Sequence, residues 1–455
     1  MRMPTTFLRL VRGAALKPAV AVLILLISVA GVSFPAGGGE AGGAEAGGAE
    51  AGGGQAGDRG ASGTGADQSS VAERMESMSW DEIVAEAEGQ EVFFYMWGGS
   101  DSINGFVQGY VGGRVEEEYG INLNMVPVTD ASVFVNKVLG EKQAGRVENG
   151  SVDLVWINGE NFRTMKEADL LFGPYASKLP NMQYVNTENP VIRNDFGYPV
   201  EGYESPYGGA QFVMVYDSER LPDPPRSIDA LLAWARQNPG RFTYPAPPDF
   251  NGSAFVRHVW YHIAGGYEAF QQPFDRELYE EIAPEVWQTL NELEPYLWRE
   301  GETYPETRTR LQSLFANAEV DFDMDYNPRY AANLIQQGRY PESARTFVFE
   351  GGTLTNTHYV AIPFNSPHKA AAMVVANYLL EPATQLEKSR TGVWGDPTVL
   401  SIDRLPEEWR RRFENLPRSP AVLEPEVLQE HTVPEPRAGW IEAIEEGWRS
   451  NVLQR

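Results

Sequence analysis

An α/β fold divided between two lobes is what this chain predicts, on three observations. Short apolar strands alternate with amphipathic helices through most of the chain, the order that builds a sheet covered by helices. Some of those strands are apolar at nearly every position, as strands covered on both faces are. The folding portion runs to roughly 380 residues, more than one hydrophobic core usually holds.

The elements follow in order. Arg2, Arg9, Arg12 and Lys17 form a basic leader, with no acidic residue before Glu40. The apolar run Ala19–Val29 (AVAVLILLISV) has the length of a signal-peptide core and is short for a membrane span. Ser28-Val29-Ala30 or Gly31-Val32-Ser33 supplies small residues for cleavage. An uncleaved anchor extending to Phe34 is the alternative. Residues 1–30 are therefore assigned to a signal peptide. Gly/Ala/Glu repeats follow, from Ala36 to about Ser70, without an aromatic residue. They bury too little surface to offset chain entropy, so residues 31–75 read as a flexible tether.

Glu91–Met96 (EVFFYM) and Asn122–Val128 are the first two predicted strands. Ser132–Ala144 is predicted helical, with Val135, Val138 and Leu139 on one face. Val152–Ile157 (VDLVWI) and Gln211–Tyr216 (QFVMVY) are further buried strands. Ser227 caps a helix in which Ile228, Leu231, Leu232 and Ala235 share a face, ended by Asn238-Pro239-Gly240. Phe347–Phe349 and His358–Ile362 are late strands, Lys369–Leu380 is an Ala-rich helix, and residues 396–455 read as helices broken by proline.

The net charge of -26 repels nucleic acid and anionic membrane surfaces. With no cysteine, disulfides, thiolate metal sites, cysteine nucleophiles and lipidation at an N-terminal cysteine are excluded. No G-x-S-x-G, Walker A or G-x-G-x-x-G pattern is present, and no catalytic residue, cofactor or metal is assigned.

Solutes bind open α/β sheets at the carboxyl ends of strands, near helix N-termini. After the first strand stands Trp97-Gly98-Gly99-Ser100-Asp101-Ser102, with Trp97 as a stacking surface and Ser100 or Ser102 as a cap. An ordinary capped turn over a core tryptophan is the competing reading. After Val152–Ile157 stand Asn158, Glu160 and Asn161, able to orient a ligand or to cap the next helix. Asn251 and Ser253 begin another helical segment, whose free N–H groups suit an anionic or carbonyl group; capping is the plainer alternative. Asp321, Asp323 and Asp325 alternate with Phe322, Met324 and Tyr326, then Asn327. The spacing is that of a calcium loop, but Tyr326 replaces its glycine and Ala332 its final glutamate. Recognition of a cation by carboxylate and aromatic together, or a solvated strand end, are the other readings. His258 and His262 share a helix face, but no third metal ligand is evident and Val259 stands where a metalloprotease has glutamate, so they read as packed or surface residues.

Four blocks together resemble the YnjB family of extracellular solute-binding proteins of ABC import systems. They are YMWGGSDSING (Tyr95–Gly105), VDLVWINGENFRTMKEADLLFGP (Val152–Pro174), DFGYPVEGYESPYGGAQ (Asp195–Gln211) and PGRFTYPAPPDFNGSAF (Pro239–Phe255). The resemblance implies a type II periplasmic-binding-protein fold with a solute cleft between its lobes. By analogy, residues 76–211 and 350–395 form the first lobe, and 212–349 and 396–455 the second. Crossovers fall near Gly209–Tyr216 and Phe347–Thr357. The implied cleft residues are Trp97, Asn158, Glu160 and Asn161 from lobe one, with Asn251, Ser253, Asp325, Tyr326 and Asn327 from lobe two. The implied protein is an exported monomer, not an enzyme. It lies at the periplasmic or extracellular face of the membrane and hands a small solute to permease subunits. Its acidic and aromatic residues favour a cationic or amide-bearing solute. The rivals are a secreted carbohydrate-active protein or lectin, suggested by 11 tryptophans, 20 tyrosines and many carboxylates, and a tethered structural protein.

Overall fold

The computed structural model describes residues 71 and 73–454. The predicted signal segment and nearly all of the predicted tether lie outside them. Met75 is already buried in a core, so ordered packing starts ahead of residue 76.

Twelve strands run in chain order: β1 (Glu91–Trp97), β2 (Asn122–Val128), β3 (Leu154–Ile157), β4 (Leu171–Phe172), β5 (Asn194–Asp195), β6 (Tyr198–Pro199), β7 (Glu204–Gln211), β8 (Val213–Asp217), β9 (Phe322–Asp325), β10 (Ala344–Phe347), β11 (Thr353–Pro363) and β12 (Thr432–Pro434). The larger sheet has the order β12-β11-β3-β1-β2, with β4 and β7 also on β11. β1 lies parallel to β2 and β3, whereas β11 runs antiparallel to β3 and β7. The smaller sheet is antiparallel, in the order β10-β8-β9.

The apolar character of β3 follows from cover on both faces. Leu154 joins a core with Phe94, Met96 and the helix Lys369–Leu379, while Val155 and Ile157 join another with Phe134, Val138 and Phe162. Each such fully buried side chain stabilises the fold by about 1.5–3 kcal/mol. The Ala-rich helix Lys369–Leu379 has all ten residues after its first buried, as its small side chains permit. The helix Trp80–Ala87, which packs on it, starts with a capping box: Glu82 N donates to Ser79 Oγ at 3.3 Å and Ser79 N to Glu82 Oε2 at 2.7 Å.

A separate core surrounds the smaller sheet, centred on Trp260, which stacks on Tyr279 at 5.0 Å and meets Trp287 edge-on at 5.5 Å. Ser227 caps Ile228–Gln237 as its sequence predicts, its Oγ accepting from Ala230 N. Two of the chain's crossings between the cores are neighbours. β7 continues through Phe212 into β8, and residues 348–352 lead from β10 into β11. They are tied where they cross, Phe212 N donating to Leu354 O at 2.8 Å.

The carboxyl-terminal portion divides later than residue 396. Val399, Leu400 and Leu405 pack in the core of the larger sheet, with Trp409 and Phe413 against them. Ala421, Trp440, Ile444 and Trp448 pack in the other. The proline-broken pattern reports helices but not which core they cover.

Candidate functional site

The carboxyl ends of the parallel strands β1 and β3 open toward helix N-termini on the other core. At the end of β1 the chain turns tightly against Trp97: a Cβ at Gly99 would stand 2.1 Å from the indole. Ser100 occupies the cap position of the next short helix without a side-chain cap, and bonds Ser102 Oγ at 3.0 Å instead. At the end of β3, Asn158 is half-buried. Gly159 turns the chain with φ +64°, a conformation other residues adopt at a cost, and its N–H donates to Asp195 Oδ2 at 2.6 Å. Glu160 follows as the first residue of Glu160–Glu167, with Asn161 Nδ2 donating to its Oε1 at 3.3 Å. Neither asparagine caps this helix. Burial raises the Glu160 carboxyl above its ordinary range, and Glu445 and Glu442 of the opposite core push the same way.

On the facing side, Asp249 occupies the helix N-termini. Its Oδ1 accepts from Asn251 N at 3.0 Å and Gly252 N at 3.2 Å, and its Oδ2 from Arg308 N at 2.9 Å. The N–H groups expected to be free for a solute are therefore taken by a neighbouring carboxylate, which costs no solute and joins two helices. Asn251 is turned inward, its Nδ2 donating to Met324 O at 2.9 Å. Ser253 Oγ donates to Glu445 Oε1 at 2.6 Å.

The three alternating aspartates separate. Asp321 pairs with Arg220 at 3.0 Å and Arg241 at 2.5 Å. Asp323 is fully buried against the Tyr340 hydroxyl, and burial pushes it up to about 7. Asp325 pairs with Arg308. Three aspartates held by separate partners make neither a calcium loop nor a solvated strand end. Among the described residues no group of three or more His, Asp or Glu is arranged to hold a metal. His258 is a core residue: its Nε2 accepts from Leu354 N at 3.1 Å, and burial pushes it down to about 3. His262 meets Asp229 at 3.0 Å on the exterior.

Arg308 brings the two sides together. Its guanidinium lies 4.7 Å from the ring centre of Tyr330 and 5.7 Å from that of Trp97 on the other core. Phe196 approaches Phe250 with centroids 6.4 Å apart, and Phe250 packs on Tyr326 at 4.7 Å. Beneath them is a buried polar network. Arg257 pairs with Glu435. Glu435 Oε1 also accepts from the Tyr326 hydroxyl at 2.6 Å and from Asn356 Nδ2 at 3.1 Å. Asn327 also reaches across to the core of the larger sheet: its Nδ2 donates to Trp394 O at 3.1 Å, and its Oδ1 accepts from Arg329 N at 2.8 Å.

Of the nine residues named from the sequence, Trp97, Glu160, Ser253, Asp325 and Tyr326 thus stand at this meeting of the cores. Asn158 is half-buried beside them, while Asn161, Asn251 and Asn327 have their amides engaged by the protein. Arg308, Phe250, Asp195, Arg257, Glu435 and Glu445 were not named. Arg308 and Phe250 had a local signal, the Thr307 and Asp249 caps before them; Glu435 comes close through a contact 178 residues from Arg257.

A family model described as bacterial extracellular solute-binding protein matches residues 114–412. Protein YnjB of Escherichia coli (strain K12) is 42% identical over 369 residues, covering 81% of this chain and 92% of that protein. Among solved structures, a putative spermidine/putrescine ABC transporter from Listeria monocytogenes superposes with a TM-score of 0.56 at 14% identity. The match covers 80% of this chain and 99% of that one. The periplasmic binding protein AfuA from Actinobacillus pleuropneumoniae superposes with a TM-score of 0.57 at 12% identity, over 80% and 99% of the two chains. At these identities the likeness is one of fold, the two-lobed type II binding-protein architecture.

Proposed function

Because the chain belongs to the bacterial extracellular solute-binding proteins, we propose that its groove captures a small solute by hinge closure and passes it unchanged to the permease of an ABC importer. The observation that carries this reading is the approach of Arg308 to Trp97, 5.7 Å across the groove, between cores that the chain joins through adjacent extended strands. A solute touching both sides binds the closed form better and shifts the population toward it. No covalent step is required.

In this reading one lobe comprises residues 71–211 and 353–413, and the other 212–349 and 421–454. The groove contacts are Trp97, Asn158, Glu160, Asn161, Ser253, Asp325 and Tyr326, to which Arg308, Phe250 and Glu445 are added; Asn251 and Asn327 support it from behind. The protein works as a monomer outside the cytoplasm, cleaved from its leader or held by it. Among the described residues no helix is long and apolar enough to cross a membrane. The Listeria protein is named for spermidine and putrescine, and AfuA was solved with fructose-6-phosphate bound. The fold therefore does not select the solute. Asp325 is already paired with Arg308, so Glu160 and Glu445 are the carboxylates that favour a cationic group.

X-ray scattering and tryptophan fluorescence on the whole chain, titrated with a library of vitamins, polyamines, amino acids and sugars, test this. A solute in the groove contracts the radius of gyration and changes the emission, and Trp97→Phe removes part of the emission change. At a hundred times Kd the solute adds about 2.7 kcal/mol of stability. Turnover of a mixed glycoside panel without contraction by any compound favours the carbohydrate-active rival.

A further inference from the structure

The groove is charged oppositely at its two ends, and on the solute-binding reading above we propose that its solute is a zwitterion. Arg308 grips a carboxylate or phosphate, and Glu160 with Glu445 holds an ammonium group at the other end.

Arg308 is prepared for an anion. Only its Nη1 makes a hydrogen bond, to Asp325; among the described residues Nε and Nη2 have no partner. The side chain keeps 24% of its surface exposed. Asp325 and the flanking rings of Tyr330 and Trp97 fix the guanidinium plane from both cores. A planar fork with two donors open matches a carboxylate or phosphate in a way an ammonium does not. Being held already, it loses little freedom on binding.

At the other end the cations in reach, Arg257 and Arg449, are already paired with Glu435 and Glu446. Glu160 follows Gly159, which lies against Phe196, the ring that meets Phe250 at the start of the helix whose Ser253 holds Glu445; Glu445 and Glu442 act on Glu160 as like charges. The cation that acts on Glu160 is Arg257, already paired with Glu435; Arg308 is not among its influences. Ser253 donates to Glu445 Oε1, and among the described residues Oε2 makes no hydrogen bond. Nearby, Asp195 is 1% exposed, touches Gly159 N through Oδ2, and has no partner for Oδ1. Closing the groove thus presses like charges from two lobes together unless a cation enters between them. The Phe250 ring, 43% exposed and in contact with Phe196 and Tyr326, suits the apolar spacer of a solute charged at both ends. A pure polycation leaves Arg308 facing a like charge, and a pure anion leaves the carboxylates unopposed.

The probes are ω-amino carboxylic acids, aminoalkyl phosphates, diamines and dicarboxylates with spacers of two to six carbons, titrated calorimetrically into the full chain. One zwitterion is expected to bind about tenfold or more tighter than the diamine and dicarboxylate of the same spacer; the carboxylate and phosphate arms tell which anion Arg308 prefers. R308Q/D325N, which keeps the pair neutral so that the fold survives, loses that zwitterion by about tenfold and does not weaken the diamine. E160Q loses the zwitterion and does not weaken the dicarboxylate. Circular dichroism verifies that both variants fold. A diamine or dicarboxylate bound as tightly as every zwitterion overturns the inference, as does R308Q/D325N binding like wild type. If the library above yields a contracting solute not charged at both ends, solute capture stands and the zwitterion assignment falls. If no compound in either collection contracts the protein, both fall.

Discussion

Glu204 lies fully buried at the start of β7, and neither of its carboxylate oxygens has a hydrogen-bond partner. Burial, and after it the neighbouring Asp195, hold its carboxyl well above the ordinary range, and the same two causes act on Asp323, with Asp325 as the charged neighbour. The sign of the pH dependence follows. A carboxyl whose folded value is raised contributes stability that is complete below its unfolded value near 4. That stability is lost as pH rises through the folded value, about 7 for Asp323. E204Q cannot ionise, so it is expected to be more stable than wild type by about 1–3 kcal/mol at pH 8 and to lose that advantage at pH 4. Urea midpoints at the two pH values read this directly, and equal wild-type and variant slopes against pH refute it. None of this is legible locally: Glu204 sits in GYESPYGG with the look of a loop carboxylate. It becomes a buried strand residue only because β7 is covered by β11 and the 190s segment.

At the scale of elements, one carboxylate serves two helices. Asp249 accepts from the first backbone N–H groups of Phe250–Ala264 and from the first of Arg308–Ala316. Asp249→Ala is expected to cost about 1–2 kcal/mol in urea unfolding. It should also lower solute affinity without touching solute, because it releases the turn that carries Arg308. Asp249→Asn keeps most of the stability. An Asp249→Ala variant that binds normally would show that Arg308 is placed by Asp325 and the rings alone. Helix periodicity was readable here, and the boundary was nearly so. The sequence DFNGS offers three capping residues in a row, and which one caps is decided by where the second helix N-terminus comes to lie.

For the whole molecule, closure is held by contacts besides the groove. Trp394 packs in the larger sheet's core, yet its loop is bound to the opposite side. Asn333 Nδ2 donates to Trp394 O at 2.5 Å, Gly392 N to Asn333 Oδ1 at 2.9 Å, and Arg329 Nη1 to Ser389 O at 2.9 Å. Each such bond contributes about 1 kcal/mol. Asn333→Ala removes two of them, and the expected result is a larger scattering radius without solute and an affinity about tenfold weaker, with the melting temperature nearly unchanged. An unchanged radius would mean that this loop travels with the second lobe.

The sequence by itself determined the alternation of strands and helices, the double cover of β3, the Ser227 cap and the family. These rest on period, composition and contiguous blocks, all local in the chain. Only the tertiary structure decided that Asp321, Asp323 and Asp325 part toward separate partners, and that Asp249 uses the N–H groups expected for a solute. It alone set Arg308 over Trp97, and it kept residues 399–413 with the first core. For the three polar cases the physical reason is the same. A polar side chain's role depends on which partner satisfies it, and that partner comes from far along the chain.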